Sequence, residues 1–70
     1  MQRNAKPVQG RRLLRSVQAA EYLSVSVWTL RRLIQNGELP VVQRGDNGKF
    51  LLDILDLDGF IERNKKTAPI

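Results

Sequence analysis

The stretch that decides the fold spans residues 16–40 and has the sequence SVQAAEYLSVSVWTLRRLIQNGELP. Its first part, VQAAEYL at 17–23, has apolar residues at helical spacing and predicts a first helix. Ser16, with Arg15 as the alternative, precedes this helix, and the Ser16 hydroxyl makes it a suitable N-cap. Ala19 stands three residues later, so no capping box is expected. The apolar face of this helix is expected to carry Ala20, Leu23 and Val17.

The second part of this stretch predicts another helix close behind the first. The first helix is expected to break at Ser24 and Val25, and Ser26 is expected to cap a helix over 27–36. Gly37 suits the left-handed conformation that commonly ends a helix. The sequence therefore predicts two helices joined by a tight turn.

Beyond the second helix, the sequence predicts a β-hairpin and a third helix. VVQR (41–44) and KFLL (49–52) are strand-like, and the Asn-Gly pair within GDNG (45–48) is a strong hairpin signal. Asp53 is expected to cap a helix over 54–65. The apolar stripe of this helix is expected to carry Leu57, Phe60 and Ile61. The predicted class is α+β, mainly α: three helices with a β-hairpin.

The two ends of the chain are expected to lie outside the globular domain. Residues 1–12 are basic and lack apolar periodicity, which predicts a flexible basic arm or simply an unstructured terminus. Leu13 and Leu14 are expected to form a short extended segment, and the domain is expected to cover 13–66. Residues 67–70 are expected to be a frayed tail.

Composition excludes several classes of function. The chain has 70 residues, 41% of them hydrophobic, which allows one small domain with a thin core. It has no cysteine and no histidine, so disulfides, thiolate metal sites and the commonest general base are absent. Asp53 and Asp56 stand at a helix start, where capping is the expected role rather than cation binding. We expect no enzyme activity, no metal and no cofactor. Without a membrane-length apolar run or a signal peptide, a cytoplasmic protein is expected, with no membrane partner.

Charge is distributed unevenly along the chain. Twelve Lys and Arg residues against seven Asp and Glu residues give a net charge of +5. Residues 1–49 carry nine bases and three acids, whereas residues 53–62 carry four acids and no base. This polarity favours a basic side that binds nucleic acid and an acidic side that faces solvent, although basicity also serves solubility alone.

The second predicted helix separates an apolar face from a polar face. At about 100° per residue, one side carries Val27, Leu30, Leu33 and Ile34. The other side offers groups that can bond or pack against base edges in the DNA major groove, as in a helix-turn-helix. These candidate DNA contacts are Ser26, Trp28, Thr29, Arg31, Arg32, Gln35 and Asn36. The alternative for Trp28 is a core position under the arm or the hairpin.

The hairpin and the arm supply further candidate DNA contacts. Arg44 and Lys49 flank the polar turn and can reach phosphates or the minor groove, although Asp46 at the tip opposes this. A hairpin that merely covers the core is the alternative. Arg11 and Arg12 at the end of the arm are expected to contact phosphates.

These segments together resemble the excisionase-type winged helix-turn-helix domain related to MerR DNA-binding heads. The resemblance covers about residues 13–63, and its specificity lies in the order of the motifs rather than in any one of them. The matching motifs are Ala19-Ala20, Tyr22-Leu23, Val25-Ser26, Thr29-Leu30, Arg32-Leu33-Ile34, Gly37, Leu39-Pro40, Gly45, Asp56-Leu57 and Phe60. Departures from the family are Val27 and Trp28 at positions commonly basic, Val17 at a position often acidic, and a hairpin longer by Asp46 and Asn47. The base preference of the family therefore does not carry over.

The resemblance implies a winged helix whose helix 27–36 enters the major groove while the wing at 44–49 touches the backbone or the minor groove. It implies an excisionase, or recombination directionality factor. Such a protein binds and bends attachment-site DNA so that an integrase can excise a phage or mobile element, in a bacterial cell and near the nucleoid. Several cooperating copies on the DNA are expected.

Two other functions remain open from the sequence. The first is a small stand-alone transcription regulator of the same class. The second is a protein-interaction module that uses Trp28 and the acidic third helix. Salt distinguishes this module from DNA binding, because neutralised phosphates make DNA affinity fall steeply as salt rises.

Overall fold

The structure, a computed structural model, describes residues 11–45 and 48–67. These residues form three helices and three short strands, joined by turns. Both predicted helices of the stretch 16–40, the hairpin and the third helix are present. In chain order the elements are β1 (Leu13–Leu14), α1 (Ser16–Leu23), α2 (Val27–Gln35), β2 (Val42–Arg44), β3 (Lys49–Asp53) and α3 (Ile54–Asn64). The fold is mainly helical with a small sheet, as expected of a winged helix-turn-helix.

The three strands form one antiparallel sheet in the order β1-β3-β2. In the hairpin formed by β2 and β3, which we call the wing, Gln43 pairs with Phe50 and Arg44 with Lys49, as the hairpin signal predicts. On the other side of β3, Leu14 pairs with Leu52, so the short extended segment becomes a third strand. Asp46 and Asn47 at the wing tip lie outside the described residues.

Helix α1 begins one residue earlier than predicted, and the prediction of Ser16 as its N-cap is wrong. Arg15 occupies the N-cap position, and Ser16 is the first helical residue. The reason is Gln18, whose Oε1 accepts a hydrogen bond of 3.0 Å from the Arg15 N–H. Gln18 stands three residues after Arg15 and so supplies the side-chain half of a capping box. Guanidinium groups cannot accept hydrogen bonds, so the other half is missing.

The turn between α1 and α2 depends on a serine in a left-handed conformation. Ser24 has φ 59° and ψ 41°. The Val25 N–H donates to the Ala20 carbonyl at 2.9 Å, and the Ser24 N–H donates to the Glu21 carbonyl at 3.0 Å. This is the bonding pattern of a Schellman motif, which returns the chain sharply into α2.

Both ends of α2 follow the sequence prediction to within one residue. The Ser26 Oγ accepts from the Thr29 N–H at 3.0 Å, which confirms Ser26 as the N-cap. At the other end Gly37 has φ 79°, and its N–H donates to the Ile34 carbonyl at 3.0 Å. The helix itself ends at Gln35, with Asn36 as the C-cap.

Helix α3 is fixed at its start by Asp53. The Asp53 Oδ1 accepts from the Leu55 N–H at 2.9 Å, which confirms the predicted cap. The same carboxylate binds the Arg12 guanidinium, with 2.8 Å between Nη2 and Oδ2. The Ile54 N–H donates to the Arg12 carbonyl at 2.8 Å, so Arg12 is held against the domain. The rest of the predicted arm, residues 1–10, lies outside the described residues, as do residues 68–70 of the predicted tail.

The core lies where the three helices meet the inner face of the sheet. Its buried members are Leu14, Ala19, Ala20, Leu30, Leu39, Leu52 and Leu57. Leu23, Leu33, Ile34 and Phe60 pack against it, as the helical spacing predicts. The prediction for Val17 is wrong: the residue is 59% exposed and lines an open groove instead of joining the core. In the described segments, no helix has the length and apolarity needed to cross a membrane.

Candidate nucleic-acid interface

The polar face of α2 points away from the core. Leu30 on the opposite face is fully buried, which sets the rotation of the helix. Of the seven candidate contacts on this segment, Thr29 is half-buried and six are exposed: Ser26, Trp28, Arg31, Arg32, Gln35 and Asn36. Amide and guanidinium groups at these positions can bond to base edges in a major groove.

Ser26 and Thr29 both take part in the cap of α2. The Ser26 hydroxyl accepts from the Thr29 N–H and donates to the Thr29 Oγ1 at 3.1 Å. The Thr29 hydroxyl retains its own proton and can still donate to a phosphate or a base. The cap therefore fixes one possible donor at the first turn of α2.

Trp28 lies on the surface of α2 and not in the core. Its side chain is 65% exposed. The Arg32 guanidinium, one helical turn further on, lies 4.9 Å from the centre of the indole ring. This distance is within the range of a cation–π contact. The structure therefore excludes the core position that the sequence allowed for Trp28.

The wing lies beside α2 across an open groove. Arg31, Ile34 and Gln35 of α2 form one side of this groove, and Gly48 and Phe50 form the other. Helix and wing therefore present one continuous surface. Any DNA contact by this surface would involve side chains of both elements.

The start of α1 joins the same surface. A second groove beside the first is lined by Arg15 at the N-cap of α1, Gln18 of α1, Arg31 of α2 and Lys49 of β3. The three cations Arg15, Arg31 and Lys49, which we call the groove cations, line this groove together with the first turn of α1, whose dipole also favours an anion. Sequence reasoning missed Arg15, although its position directly before a helix was the available signal.

The remaining predicted contacts are placed differently. Arg11 is exposed. The Arg12 side chain is held by Asp53, and this bond lowers the pKa of the Asp53 carboxyl, with the Leu55 N–H as a second cause. Any DNA contact by Arg12 has to compete with this ion pair. For Arg44 only the backbone is described, and it pairs with Lys49.

Contacts of the acidic helix α3 bind it to the rest of the fold. The Tyr22 hydroxyl of α1 donates to the Asp58 Oδ1 at 2.5 Å, a bond that raises the pKa of Tyr22. The Arg63 guanidinium donates to the Glu38 carbonyl at 3.2 Å. These side chains hold α3 in place and do not line the two grooves.

Comparison with known proteins identifies this architecture at the family level. Neither the curated proteins nor the solved structures yielded a match. The family described as "Helix-turn-helix domain" matches residues 13–65. Because this match runs from β1 to the end of α3 and includes every element of the fold, the chain belongs to the helix-turn-helix domain family and is a DNA-binding domain.

Proposed function

We propose that this domain is an excisionase, a factor that binds and bends attachment-site DNA so that an integrase excises a phage or mobile element. The observation that carries the proposal is the continuous surface formed by α2, the wing and the start of α1. The motif order AAEYL, VS, TLRRLI and GELP, which resembles excisionase-type winged helices, supports it further.

The proposed contacts divide into two kinds. In this proposal Arg32, Gln35 and Asn36, with Trp28 and Thr29, enter the major groove. In this proposal the groove cations, together with Arg44 and Arg11, bind phosphates on the flanking backbone. Base contacts determine sequence preference, whereas phosphate contacts set position and affinity.

Bending follows from contacts made on one side of the duplex. A helix in the major groove and a wing on the neighbouring backbone engage the same face of the DNA and neutralise its phosphates there. Bending a site of 20–30 base pairs by 40–90° costs about 1–6 kcal/mol, which additional contacts can offset. Several copies on adjacent sites, with an integrase beside them, would share that cost.

The test is a gel-shift titration on three DNAs: the attachment site, the promoter of the gene itself and a random sequence. We expect a stepwise ladder of complexes on the attachment site and a bend when the site is moved along a circularly permuted fragment. Arg31→Ala should weaken every complex, because it removes a groove cation. Lys65→Ala is the matched control, since it also removes one positive charge but does not line the groove.

Three results would contradict the proposal in different ways. A single complex on the promoter alone identifies a small transcription regulator. If the protein binds none of the three DNAs at low salt, a role as a protein-interaction module is the function that remains. Equal loss of binding in Arg31→Ala and Lys65→Ala rejects the groove as the contact surface.

A further inference from the structure

Trp28 and Arg32 form a stacked pair at the centre of the exposed face of α2. Trp28 is the only tryptophan of the chain, and 65% of its side chain is exposed. Arg32 lies four residues later, so both side chains project from the same helix face. The guanidinium lies 4.9 Å from the indole ring centre. A large aromatic ring exposed to water at this position is available to contact a ligand.

The stack orders Arg32 before any DNA arrives. A free arginine side chain samples many rotamers, and a planar guanidinium held over a ring has lost part of that freedom. The cation–π contact uses the face of the guanidinium and leaves its N–H edge available. Within the described segments, no hydrogen bond or ion pair engages the Arg32 guanidinium, so its N–H groups can donate to a base.

We propose that Trp28 and Arg32 act as one unit that recognises a guanine next to a thymine in the major groove. The guanidinium donates two bonds to O6 and N7 of guanine, which is the commonest specific contact of arginine. The indole packs against the C5-methyl of thymine, the one apolar group that bases present in the major groove. This inference rests on the proposed use of α2 as the recognition helix.

The dimensions of the pair restrict the two bases to neighbouring positions. The stacked groups are 4.9 Å apart, whereas successive base pairs are separated by about 3.4 Å. Two groups in contact therefore reach the same or adjacent base pairs, and not bases two or more steps apart. If another base pair separated the guanine from the thymine, the guanidinium and the indole could not make their two contacts at the same time.

The experiment begins with selection of bound sequences from random DNA and continues with single-atom changes to the selected site. Replacing thymine by deoxyuridine deletes only the methyl group. We expect this change to weaken binding of the wild-type protein about fourfold, the effect of one lost methyl contact. It should leave the affinity of Trp28→Ala unchanged. Leu55→Ala, which truncates another exposed apolar side chain, is the matched control and should respond like the wild type.

A second variant tests the guanidinium. Arg32→Lys keeps the charge but loses the planar pair of donors. We expect its preference for guanine at that position to fall about fivefold or more, while its affinity for random DNA stays within about twofold. The fluorescence of Trp28 gives an independent readout and should be quenched by the selected site.

The outcomes separate this inference from the proposed function. Specific binding with no guanine–thymine step in the selected sites, or with indifference to deoxyuridine in the wild type, overturns the Trp28–Arg32 unit and leaves DNA binding intact. If Trp28→Ala loses the same affinity for selected and for random DNA, the inference is also overturned, since Trp28 then contacts the backbone. Trp28 fluorescence that responds to integrase and to no DNA overturns both the inference and the role of α2.

Discussion

Asp53 is the residue at which the N-terminal segment, the sheet and α3 meet. It ends β3, pairs with Leu13 across the sheet, caps α3 through Leu55 and binds the Arg12 guanidinium. Two different interactions act on one carboxylate: a cap that needs only an acceptor, and an ion pair that needs a charge. The two can be separated by a substitution that keeps the acceptor.

We expect Asp53→Asn to keep the cap and lose the ion pair. The pKa of Asp53 is lowered in the folded protein from a usual value of 3.8, chiefly by Arg12. The stabilisation from its charge is therefore complete above about pH 4 and is lost as the pH falls towards the lowered pKa. Between pH 5 and pH 2 the Tm of the wild type, measured by circular dichroism, should fall by more than the Tm of the variant. Parallel Tm curves for the two proteins would show that the ion pair contributes nothing.

At the scale of the elements, two residues in the left-handed backbone conformation determine how α1 and α2 end. Ser24 ends α1 at φ 59°, and Gly37 ends α2 at φ 79°. Glycine adopts this conformation readily, whereas a residue with a Cβ is strained there by about 1–2 kcal/mol. The same helix ending is thus built once with the favoured residue and once with a strained one.

The two positions should respond to substitution in opposite directions. Ser24→Gly relieves the strain at the cost of a more flexible unfolded chain, so we expect stabilisation of up to about 1 kcal/mol. Gly37→Ala introduces the strain and should destabilise by about 1 kcal/mol, and since no atom lies within 4 Å of the added Cβ, the effect is purely conformational. Urea unfolding of both variants measures the two values. Destabilisation by both substitutions would mean that the Ser24 hydroxyl matters more than its backbone.

These elements also show which features of the fold are predictable from sequence. Caps, glycine ends and the hairpin turn act over a few residues, so Ser26, Gly37 and Asp53 were predicted correctly. Ser16 is not the cap, because the side chain that decides the start of α1 is that of Gln18, which bonds to the Arg15 N–H. The pairing of Leu14 with Leu52 joins residues 38 positions apart, and no local pattern indicates it.

The candidate site was predictable to a similar degree. Helical spacing alone identified the exposed face of α2. The groove that brings Arg15 to Arg31 and Lys49 arises only when α1, α2 and the wing pack together, so Arg15 was missed. The surface position of Trp28 also depends on that packing, because the spacing of α2 allowed a place under the hairpin as well.

At the scale of the whole molecule, the structure separates basic from acidic surface. The groove cations gather between α1, α2 and the wing, whereas Asp56, Asp58 and Glu62 lie on α3. With a net charge of +5, the protein should approach DNA with the basic surface leading. Salt dependence measures how many phosphates that surface neutralises.

We expect the logarithm of the DNA affinity to fall linearly with the logarithm of salt concentration, and each lost phosphate contact to reduce the slope by about 0.9. Arg15→Ala and Arg31→Ala should each show this reduction on random DNA. Arg11→Ala should show it too if the residue contacts a phosphate, and an unchanged slope removes it from the interface. Lys65→Ala serves as the charge control, and a reduced slope for this variant would place the end of α3 on the DNA.

The order of strands in the sheet also has a consequence for proteins crowded together on one duplex. β3, the longest of the three strands, pairs with β2 over residues 49–51 and with β1 over residues 52–53, so no unpaired strand edge runs beyond about three residues. Long exposed edges invite neighbouring chains to add strands and aggregate, and very short edges are a known protection against this. If several copies assemble on adjacent sites, as we propose, they have little edge through which to polymerise. They can stand close together and still dissociate one by one.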